Sequence, residues 1–233
     1  MAESNIAENV RRVQENIARA AAAAGRNPED VTLVAASKTQ SAEKIREAFA
    51  AGIRVFGENR AQELRDKREA YEGARVHMIG HLQTNKASMV AGRCDLVQSV
   101  DSLHLAEALD RAAAKAGCVQ DVLCEINIAR EADKSGLDPD ALDGFLDEFG
   151  RFDHLRLRGL MTIGPKPESE TANMKYFENC YALFLDKRRK SCNNIVMDIL
   201  SMGMSRDYEA AIRCGATMVR VGTAIFGPRE YPI

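Results

Sequence analysis

The chain has 233 residues, 45% of them hydrophobic and 28% charged, and carries a formal net charge of −2. That length suits one large domain, and the near-neutral balance offers no basic field for nucleic acid or an acidic membrane surface. No apolar run reaches the ~20 residues that cross a bilayer, and the polar start MAESNIAENVRRV lacks a signal-peptide core, so a cytoplasmic location is expected.

Apolar residues at Ile6, Val10, Val13, Ile17 and Ala20 recur at helical steps and predict a helix over 4–24, stopped by Gly25. After an Asn27-Pro28 turn comes VTLVAASKTQ, residues 31–40. It reads as a strand buried on both faces, the kind found in parallel sheets, with Lys38 at its carboxyl end. Burying an ammonium costs several kcal/mol unless it is paired or neutralised. Lys38 therefore either opens a surface loop or is an amine kept neutral and reactive, as in a Schiff base.

Further helices are predicted over 42–51, 60–71, 83–90, 103–116, 138–149, 170–190 and 207–214. Strands are predicted over 53–56, 76–79, 95–100, 119–128, 155–161, 195–200 and 218–221. Strand–helix repetition predicts a parallel sheet with right-handed crossovers. Eight units in this length favour closure into a (β/α)8 TIM barrel, an α/β fold, with an extra N-terminal helix. No G-x-G-x-x-G follows the first strand, which counts against a dinucleotide-binding sheet. No linker divides the chain, so residues 1–233 are expected to form a single domain, with 1–25 packed on the barrel. The cysteines at 94, 118, 124, 180, 192 and 214 contain no C-x-x-C pair, and His77, His81, His104 and His154 form no His-x-x-x-His pattern. Neither a metal site nor a disulfide is expected.

Active sites of such barrels lie at the carboxyl ends of the strands. There the sequence places Lys38, Glu58-Asn59, Gly80-His81, Asn127, Met161, Ser201 to Ser205, and Gly222-Thr223. Loops after strands seven and eight often hold phosphate. Ser201, Gly203 and Ser205 precede a helix start, and Gly222 and Thr223 offer similar chemistry. The alternative is that these glycines only turn the chain and the serines only cap. A phosphate grip facing a lysine across the mouth suggests a phosphorylated aldehyde, of which pyridoxal 5′-phosphate is the common case. Arg220, two residues before Gly222, either points inward to the pyridine nitrogen or outward to a helix carboxylate.

The segments VAASKTQ, FGENRAQE, HMIGHLQTNK, LRLRGLMTIG, LSMGMSRDYEAAIRCGATMVRVGTAIFG and PREY run in order through nearly the whole chain. Together they resemble the pyridoxal phosphate homeostasis proteins, formerly called proline synthase co-transcribed homologues. The resemblance implies a barrel like the alanine racemase N-terminal domain that binds pyridoxal 5′-phosphate without known turnover. It implies Lys38 as the aldimine lysine, and Ser201, Ser205, Gly222 and Thr223 around the phosphate. It implies Arg220 at the pyridine nitrogen, with Asn59, Met161 and Ile79 beside the ring, and a cofactor-handling role for Lys134. His81 stands where the family usually has proline, and Arg206 where it is often acidic.

An arginine at the pyridine nitrogen disfavours its protonation, which makes the ring a weak electron sink. A racemase also needs a second base; alanine racemase takes a tyrosine from another domain, and here Tyr231 is the nearest candidate. The expectation is a non-catalytic, monomeric carrier that holds pyridoxal 5′-phosphate and delivers it to apoenzymes, with no nucleic-acid or membrane partner. The alternatives are a small amino-acid racemase or other pyridoxal-phosphate enzyme, and an aldolase or sugar-phosphate isomerase. The last needs a second acid or base at the mouth, and Glu58 is the candidate.

Overall fold

The computed structural model describes residues 5–131, 135–165, 169–189 and 194–228. The strands are β1 (Thr32–Ala36), β2 (Val55–Glu58), β3 (Arg75–Met78), β4 (Leu96–Val100), β5 (Gln120–Glu125), β6 (Leu155–Met161), β7 (Ile195–Met204) and β8 (Met218–Val221). They pair in parallel in chain order, and β8 closes on β1 to complete a barrel. Helices α1 (Ile6–Ala23), α2 (Ala42–Ala50), α3 (Ala61–Asp66), α4 (Ala87–Val90), α5 (Leu103–Ala116), α6 (Leu142–Phe149), α7 (Glu170–Arg188), α8 (Tyr208–Arg213) and α9 (Thr223–Phe226) accompany them. Successive strand residues point to opposite faces. Ala35, Phe56, Val97 and Val122 accordingly join the large outer core under the helices. Val34, Val55, Leu96, Leu123 and Met218 pack together inside the barrel.

The N-terminal helix begins at the Asn5 cap, whose Oδ1 accepts the Glu8 N–H at 3.0 Å, and buries Ile6, Val10, Val13 and Ile17. Two asparagines tie it to the helices that follow β7 and β8. Asn16 donates to the Tyr208 hydroxyl at 2.9 Å, and Asn9 donates to the Ile225 carbonyl at 2.9 Å. No helix among the described residues is long and apolar enough to cross a membrane.

Element boundaries depart from the periodicity in ways that bear on the site. β2 starts and ends two residues late, because the Ile53 N–H returns to the Ala48 carbonyl at 3.0 Å and completes the end of α2. Glu58 is therefore the last strand residue, not the first loop residue. The predicted 83–90 helix shrinks to a 3-10 turn at Thr84–Lys86 followed by α4. β7 runs four residues past its expected end and takes SMGM into the sheet. Gly203 permits this: its φ is +91°, and a Cβ there would stand 2.5 Å from the Ala211 Cβ.

Candidate functional site

β8 lies between β1 and β7, and the strand ends of these three carry the residues expected to act together. The pairing of β1 with β8 continues to Ala35↔Val221. Lys38 and the turn at 222–224 therefore leave adjacent strands at one level. The sequence reading set lysine and phosphate loops across the mouth; closure makes the first and last strands neighbours instead. Val34 and Ala36 pack on the inner cluster, and Lys38 follows two residues beyond Ala36, while Ser37 turns outward to Glu58 and Tyr71. On the next strands, Ser205 Oγ accepts the Gly222 N–H at 3.0 Å and the Ala224 N–H at 3.4 Å. One hydroxyl and two backbone donors thus meet at one point, with the exposed Thr223 between them.

Arg220 is buried at 5% exposure inside the barrel. Its Nη1 donates to Ser201 Oγ at 2.7 Å and its Nη2 donates to the Thr162 carbonyl at 2.8 Å. Burial pulls its pKa down to about 10, against the opposing charges of Glu125 and Asp207, so it stays a cation near neutrality. The chain of hydrogen bonds runs on: Ser201 donates to Gln98 Oε1 at 2.7 Å, and Gln98 Nε2 meets His77 Nδ1 at 3.0 Å. Burial, with Arg75 nearby, holds the His77 pKa down at about 3, so the ring is neutral and its Nδ1 accepts.

Ser201 and Asp207 each find a partner within the chain. Ser201, grouped with the phosphate loop, sits in β7 at 0% exposure and engages Arg220 and Gln98. It pairs with Met161 and follows the alternation of Ile199, and both of those residues pack on the inner cluster, so its side chain faces the lumen below the mouth. Asp207, the residue before α8, turns its carboxylate back to the Met204 N–H at 2.6 Å and makes no capping bond to the helix.

The remaining candidates lie on the other walls. Ile79 and Met161 belong to the inner apolar cluster. Asn59 is half-buried under Gly80, where a Cβ would collide with the Asn59 backbone. His81 is 57% exposed, with its Nδ1 3.5 Å from Asp101 Oδ2. Glu58 is not at the mouth. Strand alternation turns it into the helix layer, where Ser37, Lys67 and Tyr71 all donate to its Oε1. The acid on the lumen side is Glu125, 2% exposed, bonded by Ser135 Oγ at 2.9 Å. Burial raises its pKa, and the Asp101 charge adds to that. Lys134 and Tyr231 lie outside the described residues.

Gln98, His77, Thr162 and Glu125 were missed from the sequence. A readable signal existed: Gln98 and Glu125 interrupt the apolar runs LVQSV and VLCEI, where a buried polar group needs a partner.

Residues 8–230 match the family model for the alanine racemase N-terminal domain. A pyridoxal phosphate homeostasis protein from Aquifex aeolicus is 40% identical, with 97% of this chain and 100% of the relative covered. One from Pseudomonas aeruginosa is 43% identical, with 98% and 97% covered. The chain belongs to the pyridoxal phosphate homeostasis protein family. Among solved structures, PipY of Synechococcus elongatus with PLP bound is similar at a TM-score of 0.83 and 33% identity, over 95% of this chain and 100% of that one. Alanine racemase of Clostridium difficile shares the fold at a TM-score of 0.75 and 17% identity, over 97% of this chain and 57% of that one.

Proposed function

We propose that this protein binds pyridoxal 5′-phosphate through Lys38 and serves as a carrier in cofactor homeostasis, passing it to apoenzymes in the cytoplasm. The observation that carries the reading is the convergence of Lys38, Arg220 and the Ser205–Gly222 contact on three adjacent strands, β1, β8 and β7. The donor set fits the ligand. Ser205, the Gly222 and Ala224 N–H groups and Thr223 suit a phosphate dianion. Ile79 and Met161 offer apolar surface for a flat ring, with Asn59 at its margin. Arg220 would face the pyridine nitrogen. When bound, the cofactor supplies an aldehyde that condenses with a primary amine.

The chain's own groups favour holding over turnover. The Arg220 cation is fixed from two sides, by Ser201 and by the Thr162 carbonyl. A fixed positive charge disfavours a proton on a ring nitrogen set against it, and so weakens the ring as an electron sink. Glu58, the candidate acid or base of the aldolase or isomerase alternative, is committed to the helix layer. The names of the relatives agree with a homeostatic role. The working unit is taken as one monomeric barrel domain spanning 1–233, with residues 1–25 packed against it.

Titration of purified protein with pyridoxal 5′-phosphate, followed by visible absorption, tests the reading. Wild-type protein should develop the absorption of lysine-bound cofactor, and Lys38→Ala should not. An undiminished signal in the variant removes Lys38 from its role. In deuterated buffer the loaded protein should exchange the α-proton of amino acids no faster than free cofactor. Exchange well above that rate would make it a racemase or related enzyme.

A further inference from the structure

Lys38 stands between two residues that are both held from outside the barrel. On one side is Ser37, fully buried. Its N–H donates to the Gly57 carbonyl at 3.0 Å, its hydroxyl lies 3.1 Å from Glu58 Oε1 and 3.0 Å from the Tyr71 hydroxyl, and its carbonyl accepts from Lys67 Nζ at 3.3 Å. On the other side is Thr39, with a φ of +63°. That region is strained for a β-branched residue, and such strain persists only where the surroundings impose it. Here the Thr39 N–H donates to Glu63 Oε2 at 2.9 Å.

A single ammonium joins the two sides. Lys67 Nζ lies 2.6 Å from Glu63 Oε2 and 3.1 Å from Glu58 Oε1, with only 16% of its side chain exposed. Stability does not explain this arrangement. Buried ion pairs seldom outperform well-packed apolar side chains, and Glu58 Oε2 is buried with no hydrogen-bond partner. What the network does achieve is geometric. It gathers the Ser37 carbonyl and the Thr39 N–H, the groups on either side of Lys38, onto residues of α3 and the turn behind it.

We propose that Glu63 and Lys67 are positioning residues for Lys38, holding the strained turn at Thr39 so that the lysine side chain enters the lumen. The proposal deepens the cofactor reading and rests on it. It predicts an effect confined to ligands that react with the lysine. Pyridoxine 5′-phosphate shares the ring and phosphate but has no aldehyde, so it does not need Lys38 in place.

The experiment compares equilibrium binding of pyridoxal 5′-phosphate and pyridoxine 5′-phosphate to wild-type, Glu63→Gln, Glu63→Ala, Thr39→Gly and Thr39→Gly/Glu63→Ala proteins. Glu63→Ala should weaken the aldehyde ligand about tenfold and the alcohol ligand less than about twofold, a coupling expected of residues in one network. Glu63→Gln keeps an oxygen for the Thr39 N–H and should recover part of the loss. Glycine at position 39 adopts the turn unaided, so the effect of Glu63→Ala should shrink to less than about threefold in that background. Equal weakening of both ligands overturns the proposal, as does an effect of Glu63→Ala that glycine leaves unchanged. If wild-type protein takes up neither ligand, the cofactor reading fails instead. Amide exchange at Thr39 in the cofactor-free protein then decides the clamp. Exchange about tenfold faster in Glu63→Ala supports it, as expected when a local hydrogen bond opens, and unchanged exchange overturns it.

Discussion

The two ends of the barrel use charge in opposite ways. At the amino-terminal end of β5, β6 and β7, Asp121, Arg156, Arg158 and Asp198 satisfy one another. Arg156 Nε and Arg158 Nη1 donate to Asp121 at 2.6 and 2.8 Å, and Arg158 also forms a two-point contact with Asp198. The Asp198 hydrogen bonds raise the Arg158 pKa further, even though partial burial opposes them. At the carboxyl-terminal end, Ser205 and the Gly222 and Ala224 N–H groups meet beside the strand end that Lys38 follows, with Arg220 buried inside the barrel. One end is a closed lattice that joins strands; the other collects donors suited to a phosphorylated aldehyde. This division is general in such barrels, where the carboxyl-terminal face carries function and the opposite face stability. The layer between the ends holds His77 and Gln98, neutral groups that connect to Arg220 through Ser201.

The largest expected effect tests that middle layer. The His77 pKa is about 3 in the folded protein against an ordinary 6.5. Between those values the unfolded chain binds a proton that the folded chain does not. The stabilisation is therefore complete above pH 6.5 and is lost as pH falls toward 3. Wild-type protein should lose about 2 kcal/mol more than His77→Asn between pH 7 and about pH 5 in urea unfolding. Glu58 and Glu125, raised by burial, titrate in the opposite sense in both proteins, and the comparison cancels them. Equal losses in the two proteins would place the proton on His77 in the folded state.

A smaller effect should break the lattice without touching the mouth. Asp121→Ala leaves Arg156 and Arg158 facing each other and should cost about 1.5 kcal/mol of unfolding free energy. Affinity for pyridoxal 5′-phosphate should stay within about twofold, a change of ~0.4 kcal/mol. A drop in affinity as large as the drop in stability would show that the two ends are coupled. The reverse substitution at the mouth is Ser205→Ala. It should weaken cofactor binding about tenfold, near 1.4 kcal/mol, and cost about 1 kcal/mol of stability through the two N–H groups that lose their acceptor. Unchanged affinity would remove Ser205 from the phosphate grip.

The closed barrel was legible, as was the standing of Lys38, Arg220 and Gly222 at or near its strand ends, because strand ends and alternation are local properties of the sequence. The roles of these residues toward the cofactor were carried by the resemblance alone. Ser201 was not legible, since β7 continues to Met204 where its apolar run suggests an end at residue 200. That makes Ser201 a strand residue facing the lumen rather than part of a loop. Glu58 was misread for a related reason. β2 ends two residues later than its apolar run suggests, and that places Glu58 on the outward face. The adjacency of Lys38 and Gly222 follows from closure, which brings together the first and last strands of the chain. The relay from Arg220 to His77 spans β8, β7, β4 and β3, and no local pattern announces a contact among four strands.

The central claim is that one lysine, at the tip of β1, captures the cofactor. Borohydride reduction of protein loaded with pyridoxal 5′-phosphate, then proteolysis and peptide mass spectrometry, tests it most directly. The added mass should fall on Lys38 alone. Stable label on another lysine, or no label in protein that nonetheless retains the cofactor, would contradict the account.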